Sequence, residues 1–277
     1  MTIQLGVTLF KIAFWLYLFA TGFYVVYLFK KDTGIGKIGT LLLAVGFVFH
    51  TGSLAVRWSV SGHPPFLSFY EYMLSVTWGA ALVYLVAELI TKNRTYGSFF
   101  VPLIEFFTLL TYRLPSHMES VMPALRSGWR VPHVGTAILA YSAFALAFVV
   151  AIMYLLRERA GDSETSFWGS RLPALKVLDQ TVYRTIAFGF MMQTALVITG
   201  AVWAQFAWGR YWGWDPKETW SLITWLIYAA YLHTRVTMGW RGRKSAVVVI
   251  VGFLAVIFTF WGCNTLLSGL HSYAETK

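Results

Sequence analysis

Eight apolar stretches, each close to the length of about 20 residues that crosses a bilayer as a helix, dominate this chain. They run over 8–29, 38–56, 70–91, 98–112, 133–156, 185–203, 219–236 and 246–266, the fourth being the shortest. The expected fold is an all-α, polytopic integral membrane bundle of about eight transmembrane helices, with 1–277 forming a single transmembrane domain. Composition agrees: 57% of residues are hydrophobic and 12% charged, the balance of a membrane protein. The first span has no basic segment before it and no small-residue cleavage site after it, so it reads as a retained helix.

The net charge of +10 does not point to nucleic acid, because the basic residues lie in short loops between apolar spans, where they act as topology signals. Loops 30–37, 92–97, 157–184 and 235–245 share one face and hold fourteen Lys and Arg, against seven on the other side. The first set is expected in the cytoplasm, which puts both termini on the outer side. The single Cys263 excludes an internal disulfide or a multi-cysteine metal cluster. No glycine-rich phosphate motif lies between a strand and a helix, so nucleotide binding has no support.

The segment 203–220 carries Trp203, Trp208, Trp212, Trp214 and Trp220, with Phe206 and Tyr211 among them. Aromatic belts put Trp and Tyr at most membrane interfaces, but belt residues are spread over many helix ends. Here one loop is itself aromatic. Such a cluster can present a wide surface to a planar ligand. After it, Asp215 is placed to N-cap the next helix, Pro216 to take its first position, and Glu218 to complete a capping box.

Six histidines are present: His50, His63, His117, His133, His233 and His271. His63 and His117 read as loop polar groups. His133 opens the fifth span and His271 follows the eighth, so both flank the tryptophan loop on one membrane face. Neutral imidazoles so placed can ligate a metal from opposite sides of a planar macrocycle. His50 and His233 lie within spans, where ionisable groups are costly and often functional. His233 is eighteen residues past Asp215, about 27 Å along a helix, which sends it towards the inner side. Ala229 and Ala230 beside it either clear space for a flat cofactor or allow close helix packing.

The stretch WGRYWGWDPKETWSLITWLIYAAYLHTR, Trp208 to Arg235, closely resembles the signature of the CcsA (ResC) family, haem-handling membrane subunits of cytochrome c synthase within the wider WWD-domain group. RWSVSGHPPFLSFYEYMLSVTW from Arg57, VPHVGTAILAYSAF around His133 and GLHSY around His271 extend the resemblance over most of the chain. It implies transport of haem b across the membrane and its presentation for thioether attachment to the Cys-x-x-Cys-His motif of an apocytochrome c. The chain would act within a haem-lyase complex with a CcsB/ResB-type partner, in a bacterial plasma membrane or a thylakoid membrane, with the WWD loop outward. It implies that His133 and His271 are axial ligands of the outward haem. His233 would be the ligand of an inner haem completed by the partner, or by His50 as an improvised second ligand. Trp208, Tyr211, Trp212, Trp214 and Trp220 would line the cofactor, with Asp215, Trp208, Trp212 and Trp214 serving the attachment step. Arg57, Arg126, Arg130 and Arg210 are the outward cations available to haem propionates. Two alternatives stand beside this: a CcmC-type exporter or chaperone that delivers haem without attaching it, and an unrelated transporter or receptor for another planar ligand.

Overall fold

The computed structural model describes residues 2–117, 127–161, 166–267 and 269. Among them there is no strand, and all eight expected spans are helices. They are α1 (Ile3–Lys30), α2 (Thr33–Ser61), α3 (Phe69–Thr91), α4 (Gly97–Arg113), α5 (Arg130–Ala160), α7 (Leu175–Trp208), α8 (Pro216–Thr237) and α9 (Arg243–Ile257), with a short α6 (Phe167–Arg171) in the long loop. A π-helical turn, Phe258–Gly262, continues α9. Helices α1, α2, α3, α5, α7 and the segment Arg243–Gly262 are long and apolar enough to cross a membrane. The other two fall short for visible reasons. Helix α4 has 17 residues with Pro102 inside it, and α8 carries Lys217, Glu218 and Arg235.

The chain divides into two compact units: Met1–Ser120 with Ser170–Leu172, and Val121–Gly169 with Pro173–Lys277. In the first, α1 packs on α2 and α4, and α3 packs on α2 and α4. The turn between α1 and α2 is short because Lys31 closes α1 in the left-handed region, φ 56°, and Asp32 at once caps α2 through Gly34 N and Ile35 N. Several buried polar groups in this unit are paired with one another. The Glu88 carboxylate accepts from the hydroxyls of Tyr24, Tyr84 and Thr40 at 2.6–2.7 Å, satisfying a charge that burial would otherwise make costly.

In the second unit α5 packs against α7 and α9, and α8 packs against α7 and α9. Small residues on α5, among them Ala140, Ala143 and Ala147, are wholly buried. They let helix backbones approach closely, the usual packing device within a membrane. Helix α7 begins ten residues before the apolar span expected at 185–203, because Leu178 and Val182 are buried and keep the helix amphipathic down to its start. Asp179 in that extension holds Arg235 by a two-pronged pair at 2.7 and 2.6 Å and also accepts from Gly242 N. That fork fixes the ends of α7 and α8 together.

Candidate functional site

The expected tryptophan loop is part helix and part turn. Trp203 and Trp208 belong to the last turns of α7, which Gly209 closes in the left-handed region at φ 73°. Tyr211, Trp212, Gly213 and Trp214 form the turn, and α8 starts at Pro216. The expected cap is present in full: Asp215 Oδ1 accepts from Lys217 N at 3.0 Å, and Glu218 reaches back to Asp215 N at 3.2 Å. Glu218 also accepts from Gly213 N at 2.7 Å. Its carboxylate thus clamps the residues on either side of Trp214. That matters because Trp214 has φ 57°, a left-handed conformation unfavourable for a bulky residue.

The aromatic residues do not form one flat wall. Trp203 is buried and Trp208 half-buried, their rings 6.2 Å apart. Trp212 and Trp214 meet edge to face at 5.8 Å. Trp220 turns inward onto Phe258 of the π-helical turn at 4.1 Å. Tyr211 and Trp214 are exposed, at 61% and 69%. The exposed aromatic surface of the turn is therefore that of Tyr211 and Trp214, while Trp203 and Trp208 pair with each other.

His133 stands beside this pair. Its ring lies 5.3 Å from that of Trp203, and Nδ1 is 3.1 Å from the Leu196 carbonyl oxygen. A carbonyl only accepts, so Nδ1 carries a proton, and in the neutral ring Nε2 then holds the lone pair. This is the arrangement by which proteins fix the tautomer of a metal-ligating histidine. The ring fits against α7 only because residue 200 is glycine: a Cβ there would lie 2.7 Å from His133 Cε1. His271 lies outside the described residues. Two positions before it, Gly269 abuts the tryptophan turn, where a Cβ would collide with Asp215 Oδ2 and stand 2.9 Å from Pro216 Cδ.

The remaining histidines separate. His233 is exposed on α8, with Ala230 exposed and Ala229 half-buried. His50 is fully buried between the rings of Phe10 and Tyr17, its Nδ1 3.3 Å from the Tyr17 hydroxyl and its Nε2 without a hydrogen-bond partner. That enclosure leaves no opening for a macrocycle at His50. His63 bonds its own loop through the Pro64 carbonyl. His117 lends its carbonyl to Arg57. Among the described residues no group of three or more His, Cys, Asp or Glu could hold a metal ion, and a haem iron asks of the protein only axial ligands.

Arg57, one of the four cations offered for the propionates, is engaged elsewhere. It is buried, its Nε on Glu71 at 2.7 Å, its other two nitrogens on the carbonyls of Ser116 and His117, and its plane over the Tyr70 ring. The fork is committed to the loops of the first unit, so it is not a propionate anchor. Arg126 lies outside the described residues, and Arg130 is buried at the start of α5. Arg210 is exposed in the turn, with its guanidinium over Gly213. Lys217, in the first turn of α8 ahead of the apolar span, was absent from the expected site. Burial pushes its ammonium down to about 8, while Cys263 and Asp215 oppose the shift. Gly200 and Gly269 were also missed; for Gly200, a small residue in an apolar helix is the one local sign of close approach.

Comparison with known proteins agrees with this arrangement. The cytochrome c assembly protein family matches residues 66–271. Cytochrome c biogenesis protein CcsA of Pyropia yezoensis is 35% identical over 87% of this chain and 88% of its own length. The CcsA protein of Parasynechococcus marenigrum is 37% identical over 88% of each chain, and that of Synechococcus sp. strain CC9902 is 38% identical over 84% and 85%. Among solved structures, the cytochrome c haem lyase CcmF shares the fold at a TM-score of 0.72 and 18% identity. The alignment covers 94% of this chain, which spans about half, 47%, of the CcmF chain. A tryptophan turn held between two capped helices, a tautomer-fixed histidine beside it and these relatives converge: the chain belongs to the CcsA family of integral membrane proteins that act in cytochrome c maturation.

Proposed function

We propose that this chain is the haem-handling subunit of a cytochrome c synthase, carrying haem b across the membrane and presenting it on the outer face for thioether attachment to an apocytochrome c. The whole of 1–277 acts as one haem-handling module, with a CcsB-type membrane protein as its partner. The observation that carries the reading is His133: its Nδ1 is bonded to the Leu196 carbonyl, which aims a neutral Nε2 at an iron beside Trp203 and Trp208. His271 supplies the opposite axial ligand. Haem is cargo here, and its vinyl groups supply the carbons to which the apocytochrome's thiols bond. The chain's residues bind, orient and exclude water. Tyr211 and Trp214 cover a haem edge, Trp208 and Trp212 back them, and Arg210 is the exposed cation suited to a propionate.

The orientation follows from the Lys and Arg asymmetry of the loops, with both termini and the tryptophan turn outside. The inner site uses His233. Its exposure on α8, beside exposed Ala230, suits a haem shared with a partner chain that brings the second ligand.

The deciding experiment expresses the chain with its partner and an apocytochrome c, then replaces His133 with Ala. Loss of the bis-histidine spectrum and of holocytochrome, with partial return on adding imidazole, is the expected result. Full maturation in His133→Ala without imidazole would overturn the assignment. A wild-type chain that holds haem but matures no cytochrome would instead favour delivery without attachment.

A further inference from the structure

We infer that α2 and α3 form, at their ends nearest loop 92–97, a binding site for one anionic phospholipid of the adjoining leaflet. Its acyl chain lies in the groove between the helices, and its phosphate meets Lys92 and Arg94. The inference goes beyond haem handling and needs only that α2 and α3 span the bilayer.

Farther into the membrane the two helices are joined. Trp78 stacks on Phe47, ring centroids 5.4 Å apart, and its indole N–H donates to the Thr51 hydroxyl at 2.8 Å. Towards the loop a groove of about 290 Å³ remains between them. Ala44, Leu85 and Leu89 give it apolar walls, and Thr40, Glu88, Lys92 and Arg94 give it a polar end. Lys92 is seven residues past Leu85, so the groove runs about 10 Å from the helix end into the membrane. Leu89 is 65% exposed, which leaves the apolar wall open to lipid.

The polar end is built to hold an anion. The Arg94 stem crosses Gly36, where a Cβ would lie 2.9 Å from Arg94 Cδ. Its Nε donates to the Thr40 hydroxyl at 3.0 Å and stands 3.2 Å from Glu88 Oε1. Its two terminal nitrogens make no hydrogen bond among the described residues, and the side chain is 30% exposed. Lys92 is exposed and its ammonium has no partner among the described residues. Glu88 is the one acid in the lining, and its oxygens are taken by three hydroxyls. Two cations against one carboxylate leave a positive charge in excess. Basic pockets between transmembrane helices at the membrane surface suit anionic headgroups. No histidine or cysteine lines the groove, so it offers a haem no axial ligand.

The test titrates the delipidated full chain with phosphatidylglycerol or phosphatidylcholine of the same acyl chains and counts retained lipid by native mass spectrometry. Phosphatidylglycerol should bind about fivefold tighter, the worth of one cation near a membrane surface. Lys92→Asn removes that cation while Asn tolerates the left-handed φ of 54° at this helix end; it should bring the two lipids level at unchanged Tm. Ala44→Leu fills the apolar wall and should displace both lipids. Lys176→Gln, which removes an exposed lysine from the other compact unit, should change nothing. Equal affinity for the two lipids in the wild type overturns the inference, as does undiminished phosphatidylglycerol binding in either groove variant. A loss in Lys176→Gln as large as in Lys92→Asn would mean diffuse attraction to basic residues and no site. Displacement of the lipid by glycerol 3-phosphate, or by haem, would give the cations to a free phosphate or to the cargo and overturn it too.

Discussion

Gly200→Ala separates the setting of His133 from the stability of the helix that sets it. Residue 200 lies inside α7, where replacing glycine by alanine favours the helix by about 0.8–1 kcal/mol. The new Cβ would stand 2.7 Å from His133 Cε1 and 2.9 Å from Nδ1, against 3.4 Å for ordinary contact. The imidazole must therefore retreat by about 0.7 Å. It is half-buried, so it can move, and the retreat breaks its bond to the Leu196 carbonyl, a net loss of about 0.5–1.5 kcal/mol. The two contributions nearly cancel. The expected Tm is close to wild type, whereas the axial bond meets a misplacement of the kind that costs about a hundredfold in preorganised sites. Purified variant and wild type are compared by thermal unfolding and by absorption spectra with and without imidazole. The reasoning predicts equal melting, a weakened bis-histidine spectrum, and recovery with imidazole. Gly22→Ala, in α1 where a Cβ meets nothing within 4 Å, should stabilise without touching the spectrum. An unaltered spectrum in Gly200→Ala would refute the claim that the Leu196 carbonyl and the glycine gap set this ligand.

Three further outcomes are expected. Trp214→Gly removes a bulky residue from φ 57°, relieving about 1–3 kcal/mol of backbone strain; Tm should hold or rise while cytochrome maturation falls, and normal maturation would show that the exposed ring is dispensable. The Lys217 ammonium titrates near 8 in the folded chain, below its usual 10.5, so the unfolded chain binds more protons between those values and stability should climb from about pH 8 to 10.5; thermal melts of wild type minus Lys217→Met over that window should show the climb, and a flat difference would contradict it. Ala230→Leu should lower haem loading as His233→Ala does, at unchanged Tm because both residues are exposed; a broad loss of stability would mean that this face of α8 serves packing instead.

The sequence revealed what depends on neighbours along the chain. All eight apolar stretches are helices, six of them long and apolar enough to cross a membrane; they were legible because an apolar run of that length has few other fates. The capping box at Asp215, Pro216 and Glu218 was legible because its partners sit three residues apart. Ends were less so. Helix α7 starts early because Leu178 and Val182 bury one side of an otherwise polar stretch and Asp179 pairs with Arg235, 56 residues away. Arg57 looked available because nothing near it in sequence announces that Glu71 and two carbonyls beyond residue 115 absorb its fork.

The site itself is legible only in its parts. The tryptophans are visible as a cluster, yet that Trp203 is buried, Trp208 and Trp212 half-buried, Trp214 exposed and Trp220 turned inward depends on where α7 ends and on the π-helical turn behind Trp220. An exposed aromatic residue at positive φ does not hold its place unaided, and Trp214 is held from behind by Glu218 through the amides on both its sides. His133 is set through Leu196, 63 residues on, and the tail passes the turn where Gly269 meets Asp215. In each case the side chain assigned to the cargo in the proposed function is ordinary, and the group that fixes it is a carbonyl, a glycine or a capping carboxylate whose role appears only in three dimensions. That division fits the chemistry proposed. When the reacting groups belong to haem and apocytochrome, the membrane protein's contribution is position, and position is set by the residues standing behind the site.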